Sequence, residues 1–442
     1  VASERSGGDP VRTQPRQTRR IRLFRRLLTL ALVCAFAFSA ALTLRGAPPA
    51  HAAASLTLEA TYTSVANGWD HVDRYKDNTP HFPSEQYPSD GRGDQDGQRL
   101  TFFGNVSEPF SGRFLLYYAP KWNTNPRAIP VLLVHGANDN ADRAWANPDD
   151  LGGGHCGANT CPSTGLMQHL VNDGFRVFAI NFAHKQGDNE LQAQVLEDAL
   201  QVIRMKLGVS QVDVIAHSKG VMAARLYASS VKPSWGQAYQ GDIRRLILIG
   251  GPNKGIDYTF AHGWTADTAI WPECGGTANA PSPHIEFTCY GFIYDHPELS
   301  VYSTSSCNCF PGQKQMLYRW DGVYGIDETQ GDWYTTYYGG QGYYSYGYGI
   351  QEAINEGSLI DTMRSAGVPS SIRTDLLSGG SADIPNFLNE NRGPSDGIVF
   401  VASASDTGGI GAVGANVEIT GDNHLKLIWE STAETQIDGW LK

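Results

Sequence analysis

Basic residues are scarce over most of this chain. Its 34 Lys and Arg stand against 45 Asp and Glu, and nine of the Arg but only two of the acids fall within the first 52 residues. The remaining body carries a net charge of about −18, which phosphate backbones and anionic lipid repel, so neither nucleic acid nor a charged membrane surface is expected as a partner. The C-x-x-C pairs of structural zinc are also missing. The nearest approach is Cys307-x-Cys309 close to His296, which lacks the knuckle spacing. The acidic run SDGRGDQDG, with Asp90, Asp94 and Asp96, has Arg92 and Phe103 where a calcium-binding EF-hand loop needs acids, so it reads as a solvated loop. No internal repeat is evident.

One apolar run, Leu27 to Leu44, has length enough to suggest a membrane. Arg19, Arg20, Arg22, Arg25 and Arg26 precede it and Ala50-His51-Ala52 follows, the order of a basic n-region, an apolar h-region and an A-x-A cleavage site. Residues 1–52 are therefore expected to be a signal peptide, leaving 53–442 as a secreted, extracellular protein without a stable membrane anchor. Thr18 to Leu23, TRRIRL, loosely fits a twin-arginine signal, so both export routes stay open. Six cysteines then remain, an even number that in an exported chain reads as disulfides. Cys156–Cys161 and Cys274–Cys289 are the favoured pairs; Cys307–Cys309 is a strained pairing whose alternative is exchange with Cys274 or Cys289.

The rest of the chain is organised around VDVIAHSKGVMAARLY, Val212 to Tyr227. A β-branched run suited to a buried strand leads into Ala216-His217-Ser218-Lys219-Gly220, and Val221 to Tyr227 opens a helix. A serine on a sharp strand-to-helix turn needs small residues two places before and after it, and Ala216 and Gly220 supply them. Upstream, Pro130 to Val134 is a continuous apolar strand followed by His135-Gly136-Ala137. A helix is expected over Thr164 to Asp173, a strand over Phe175 to Ile180 and an amphipathic helix over Glu190 to Leu207; another strand, Leu246 to Ile249, follows the serine. Strands alternating with helices imply a mostly parallel sheet flanked by helices. Before Asn125 the pattern is irregular, with strands expected at Leu56 to Tyr62, Leu100 to Phe103 and Arg113 to Tyr118. Residues 258–350, rich in Tyr and Gly and holding four of the six cysteines, read as a disulfide-pinned lid or cap inserted in the catalytic domain. A helix over Ile350 to Ala366, a strand over Val413 to Ile419 and a closing helix over Leu425 to Leu441 complete the expectation.

Serine is a weak nucleophile that needs a base, an acid to orient that base and amides for the oxyanion. The chain offers Ser218 as nucleophile, Asp396 as acid and His424 as base, with the backbone amides of Ala137 and Lys219 as oxyanion donors. His217 is fixed beside the nucleophile and points across the turn, and His135 belongs to the oxyanion loop. His424 follows the last strand, where a parallel sheet delivers residues to the edge that carries Ser218. Asp383, Asp406 and Asp422 compete with Asp396, but Asp406 and Asp422 lie in turns that suit solvated carboxylates.

VLLVHGANDN, VDVIAHSKG, SDGIV and DNHL, in this order and spacing, resemble the motifs of secreted bacterial α/β-hydrolase lipases. HGANDNADRAW and SQVDVIAHSKG are also similar to the lipase-like extracellular depolymerases of native polyhydroxyalkanoate granules. The resemblance covers 129–251 and 395–442. It implies the α/β-hydrolase fold and a carboxylic ester hydrolase without a cofactor, working on a hydrophobic substrate, a lipid or a polyester; a monomer without a bound metal is the accompanying expectation. Polyester depolymerase is the close alternative; a non-catalytic binding protein on a hydrolase scaffold is the third reading. Two departures stand out. Lys426 takes a place where such lipases carry a calcium-binding acid, and Lys219 stands where Met, Leu or Gln is usual; its side chain is expected to be solvated, or else to attract an anionic product.

Overall fold

In the computed structural model the described residues are 55–88, 91–150, 156–261, 284–289, 292–295, 301, 307–329, 333–341 and 345–442. The segment expected to be a signal peptide, Cys274, Tyr343 and Tyr344, and the side chains of Cys289 and Tyr346, lie outside them. Residues 53–442 form one compact unit.

Its centre is a nine-stranded sheet. The strands are β1 (Leu56–Tyr62), β2 (His71–Asp77), β3 (Arg113–Tyr118), β4 (Pro130–Val134), β5 (Arg176–Phe182), β6 (Val212–His217) and β7 (Ile243–Ile249), then β12 (Arg373–Gly379) and β13 (Val413–Ile419). Four short strands fall between them in sequence, β8 (His284–Cys289), β9 (Phe292–Asp295), β10 (Gly340–Gln341) and β11 (Ser345–Gly347), and form a separate sheet. The main sheet runs β1-β2-β3-β5-β4-β6-β7-β12-β13. β1 to β3 pair antiparallel and β3 joins β5 antiparallel; from β5 onward every pairing is parallel.

The sequence explains the difference between centre and edge. Every residue of β4 and β6 is buried, because apolar clusters cover both faces: Leu132, Val134, Val214 and Ala216 face one, and Val131, Leu133 and Ile215 the other. β1 and β13 lie at the sheet edges and alternate with solvent. The flanking helices include α1 (Leu166–Asn172), α2 (Asn189–Leu207), α3 (Gly220–Ala228) and α4 (Ser431–Leu441). Asp188 caps α2 by accepting from the amides of Glu190 and Leu191, and Gly208 ends it in the left-handed region.

Some expected elements take another form. Leu100 to Phe103 is no strand but the end of a helix, Gly97–Phe102, whose buried Arg99 and Phe102 lie three residues apart on one face. The helix expected over Ile350 to Ala366 divides into Gly349–Gly357 and Ile360–Ala366, because Ser358 leaves the helix to donate to the Leu317 carbonyl at 2.6 Å. The closing helix is a 3-10 turn, Lys426–Ile428, followed by α4. Cys156 is bridged to Cys161, and Cys307 to Cys309.

Candidate active site

Parallel register places the site. Val134 pairs with Ala216, His217 with Ile249, Ile249 with Leu377, and Gly379 with Ile419, so these strands end along one edge of the sheet. Each end delivers one piece: Gly136 and Ala137 after β4, Ser218 after β6, Gly250 after β7 and His424 beyond β13. Asp396 lies farther along the chain from β12 but returns to this edge, where a β-carbon on Gly379 would stand 3.0 Å from its own.

Ser218 sits at φ 54°, a conformation that strains any residue with a β-carbon. Its amide donates to the Ile249 carbonyl at 2.9 Å, and its carbonyl accepts from Val221 at the start of α3. The small neighbours are required by contact. A β-carbon on Gly220 would meet the His135 carbonyl oxygen at 2.5 Å, and one on Gly136 would stand 2.7 Å from Ser218 Cβ. With the strand order, this turn defines the α/β-hydrolase architecture.

His424 is buried, and its Nδ1 lies 2.8 Å from Asp396 Oδ2. The other carboxylate oxygen, Oδ1, accepts from the amides of Ile398 and Val399 at 3.0 and 2.7 Å, and the His424 amide donates to the Asp396 carbonyl at 2.8 Å. With Asp396 Oδ2 as its acceptor, Nδ1 carries the ring hydrogen, which leaves Nε2 free to take a proton. The rival acids are engaged elsewhere: Asp383 with Asn423 and Lys426, and Asp406 with Arg364. Asp422 carries a pKa raised by burial to about 6.

Ser218 and His424 line one cavity of about 380 Å³, together with Gly136 and Ala137. Ile256, Met316, Ile384, Val399 and Leu425 make an apolar wall; Asn138, Asp139 and Arg143 make a polar end. Asp139 is held ionised, against its desolvation, by Arg143 at 2.9 Å. Among the described residues no acceptor takes the amide hydrogen of Ala137 or of Lys219. Neutral His135 supports the first of these turns: burial lowers its pKa to about 4, its Nδ1 bonds the Gly136 carbonyl at 2.8 Å and its Nε2 accepts from the Phe182 amide.

Two residues differ from the sequence expectation. Lys219 is not solvated but fully buried, its amine 2.5 Å from Gln192 Oε1, and burial lowers its pKa to about 7. His217 does more than flank the serine: it lines the cavity and bonds the His424 carbonyl through Nε2. Neither fact has a sequence signal, because the partners are 27 and 207 residues away.

No protein-family model and no curated protein matches this chain. Among solved structures, mature lipase BlEst2 of Bacillus licheniformis is 13% identical over 72% of this chain and 92% of its own, with a TM-score of 0.37. Est1E of Butyrivibrio proteoclasticus is 10% identical (74% and 93% covered, TM-score 0.35), and carboxylesterase CesB of Bacillus subtilis 12% identical (74% and 87%, 0.33). At these values the chemistry has to be read from the site itself.

Proposed function

We propose that this chain is a secreted serine hydrolase of carboxylic esters. The observation that carries the reading is a serine held at positive φ in the same cavity as a histidine whose far nitrogen lies 2.8 Å from a buried carboxylate. Ser218 Oγ attacks the acyl carbon while His424 Nε2 takes its proton, and Asp396 holds the ring and balances the imidazolium. The oxyanion receives the amide hydrogens of Ala137 and Lys219. His424 then passes its proton to the departing alkoxide, leaving an ester on Ser218. Water, deprotonated by the same nitrogen, attacks that ester, frees the acid and restores the serine.

The apolar wall suits an aliphatic acyl group, and the cavity, at about 380 Å³, is of ordinary small-ligand size, so lipid-like esters are the first choice. A polyester as substrate is supported by another observation: Tyr334, Tyr338 and Tyr348 are 59, 42 and 66% exposed, although Tyr337 among them is buried with its hydroxyl on Asp257. Such rings suit a polymer surface. The test compares wild type and Ser218→Ala on a short-chain ester, an emulsified long-chain triacylglycerol and a polyester suspension. Hydrolysis by wild type with a loss of about a thousandfold or more in the variant supports the reading, and the preferred substrate separates lipase from depolymerase. Equal behaviour of the two proteins rejects it and favours a binding scaffold.

A further inference from the structure

Lys219 points its side chain away from the cavity, into the junction of three chain segments. One is the head of α2, where Gln192 accepts from the amine at 2.5 Å and itself donates to the His184 carbonyl at 2.7 Å. The second is the loop before β3: Glu85 Oε1 accepts from the Asp188 amide at 2.7 Å. The third is the turn Pro311–Gln315. Gly312 lies so close to the amine that a β-carbon there would overlap Lys219 Cε and the Gly187 carbonyl, while its amide and carbonyl bond the Gln186 carbonyl and the Asn189 side chain.

The same turn reaches the other oxyanion donor. Gln313 Nε2 donates to Gln186 Oε1 at 2.8 Å, and Gln186 Nε2 donates to Asn138 Oδ1 at 2.6 Å. Asn138 follows Ala137 and sits at φ 54°, a left-handed conformation that asparagine tolerates, and the bond from Gln186 fixes its side chain there. Gln313 and Met316 also line the cavity. One short segment thus packs on the Lys219 side chain, reaches Asn138 through Gln186 and contributes Gln313 to the cavity wall.

We propose that Lys219 is a positioning residue as well as an amide donor: its buried amine locks the turn after Ser218 onto Gln192 and onto the Pro311–Gln315 turn, which holds the Asn138 side of the same oxyanion site. A Met or Leu in its place would fill the space without a directional bond to Gln192. The carboxyl groups facing the amine are those of Glu85 and Asp188; His135 and His184 are neutral by burial, and the turn's own lysine, Lys314, is drawn to Glu356 at 3.2 Å. Burial lowers the Lys219 amine to about 7 and raises the Glu85 carboxyl to about 8. The two groups titrate in the same range and against one another, so protonation of the junction bears on the oxyanion turn.

This inference rests on the esterase reading, and the experiment separates the two. Wild type, Ser218→Ala, Lys219→Met and Gly312→Ala are compared on a soluble short-chain ester, with the concentration of folded sites fixed by circular dichroism and active-site titration. Displacing one donor rather than deleting it is expected to lower kcat about thirtyfold in Lys219→Met, with KM within about threefold, and to alter the kcat–pH profile near neutrality. Gly312→Ala, which pushes on the Lys219 side chain from another segment, is expected to show the same kcat-selective loss, and it stands in for Lys219→Met should that variant not fold. A purely structural lysine would reduce the folded fraction and leave kcat per site and the pH profile unchanged; that result overturns the proposal. If Ser218 proves essential while both other variants keep wild-type kcat, this inference alone fails. If Ser218→Ala retains activity, the esterase reading fails and takes the inference with it.

Discussion

His217 Nε2 lies 2.9 Å from the carbonyl oxygen of His424, joining the residue before Ser218 to His424 across 207 positions of sequence. A carbonyl only accepts, so Nε2 carries the hydrogen and Nδ1 is the unprotonated nitrogen. Burial holds the ring neutral, with a pKa near 3, and the two imidazoles lie 4.7 Å apart. The loop of His424 is therefore fastened to the strand that leads into Ser218.

Replacing His217 by Phe keeps most of the volume and deletes the donor. The buried His424 carbonyl then lacks its partner, a loss of about 1–3 kcal/mol in stability. Activity is expected to fall about tenfold through kcat, because the ring of His424 is less well fixed. Urea denaturation beside steady-state kinetics checks both; full stability and activity in the variant would remove His217 from the account.

Asp396→Asn preserves shape but reverses one hydrogen bond. An amide donor facing Nδ1 favours the tautomer with its proton on Nε2, where a base is needed. The expected loss is about four orders of magnitude in kcat at neutral pH, with little change in melting temperature. Alanine at Asp383 or Asp406 is expected to leave kcat within about threefold, since neither acid contacts His424. A comparable collapse at either position would reassign the acid.

Gly136→Ala tests the crowding around the nucleophile. The added carbon would stand 2.7 Å from Ser218 Cβ and 3.2 Å from Oγ, so the Ala137 turn has to retreat. A displaced donor and nucleophile are expected to cost about a hundredfold in kcat/KM. The corresponding change at Gly208, where nothing lies within 4 Å but φ is 66°, should cost stability alone.

Three buried histidines weaken the fold in acid, against buried carboxyls such as Glu85, Glu434 and Asp422, whose raised pKa values act in the opposite sense. Folded, His135 has a pKa lowered to about 4, and His184 and His217 to about 3, all by desolvation, against about 6.5 when unfolded. Between pH 6.5 and 4 the unfolded chain binds protons that the folded chain refuses, so stability present above pH 6.5 is lost as pH falls, by at most about 1.4 kcal/mol per pH unit for each ring. Relative to wild type, His184→Gln should gain melting temperature as the pH falls from 6.5 to 4. An unchanged slope would show that His184 titrates normally.

The Cys156–Cys161 bridge is hydrogen-bonded to the loop that carries His424. The Cys156 carbonyl accepts from Trp429 Nε1 and the Gly157 carbonyl from Asn423 Nδ2, both at 2.8 Å, and Asn423 precedes His424. Cys156→Ser with Cys161→Ser is expected to lower kcat about fivefold, a small loss of positioning, while the short loop limits the stability lost. Equal kcat with and without the bridge would confine it to a structural role.

What was legible in the sequence was whatever the chain encodes locally. Ala216 and Gly220 announce the turn at Ser218 because the crowding acts within a few residues, and the unbroken apolar runs of β4 and β6 announce two covered faces. Asp396 could be preferred over Asp406 and Asp422 because those sit in turns. The unreadable parts depend on contacts formed by folding. Leu100 to Phe103 is too short to show a period, and its helix is defined by Arg99 and Phe102 turning inward. Lys219 looked solvated because lysine usually is; only the closure of residues 85–88, 184–192 and 311–315 around it places the amine inside. The link from His217 to His424 joins two strand ends that no spacing rule connects.

The most direct measurement is intact and peptide mass spectrometry after reaction with an alkyl p-nitrophenyl phosphonate. Attack by Ser218 Oγ forms the oxygen–phosphorus bond and expels p-nitrophenolate, leaving a stable analogue of the tetrahedral intermediate. The account predicts one phosphonyl group per protein, on the peptide containing Ser218, with a matching release of p-nitrophenolate, and no adduct in Ser218→Ala. An adduct on another residue, or an unmodified protein under conditions that label a known serine esterase, would contradict it.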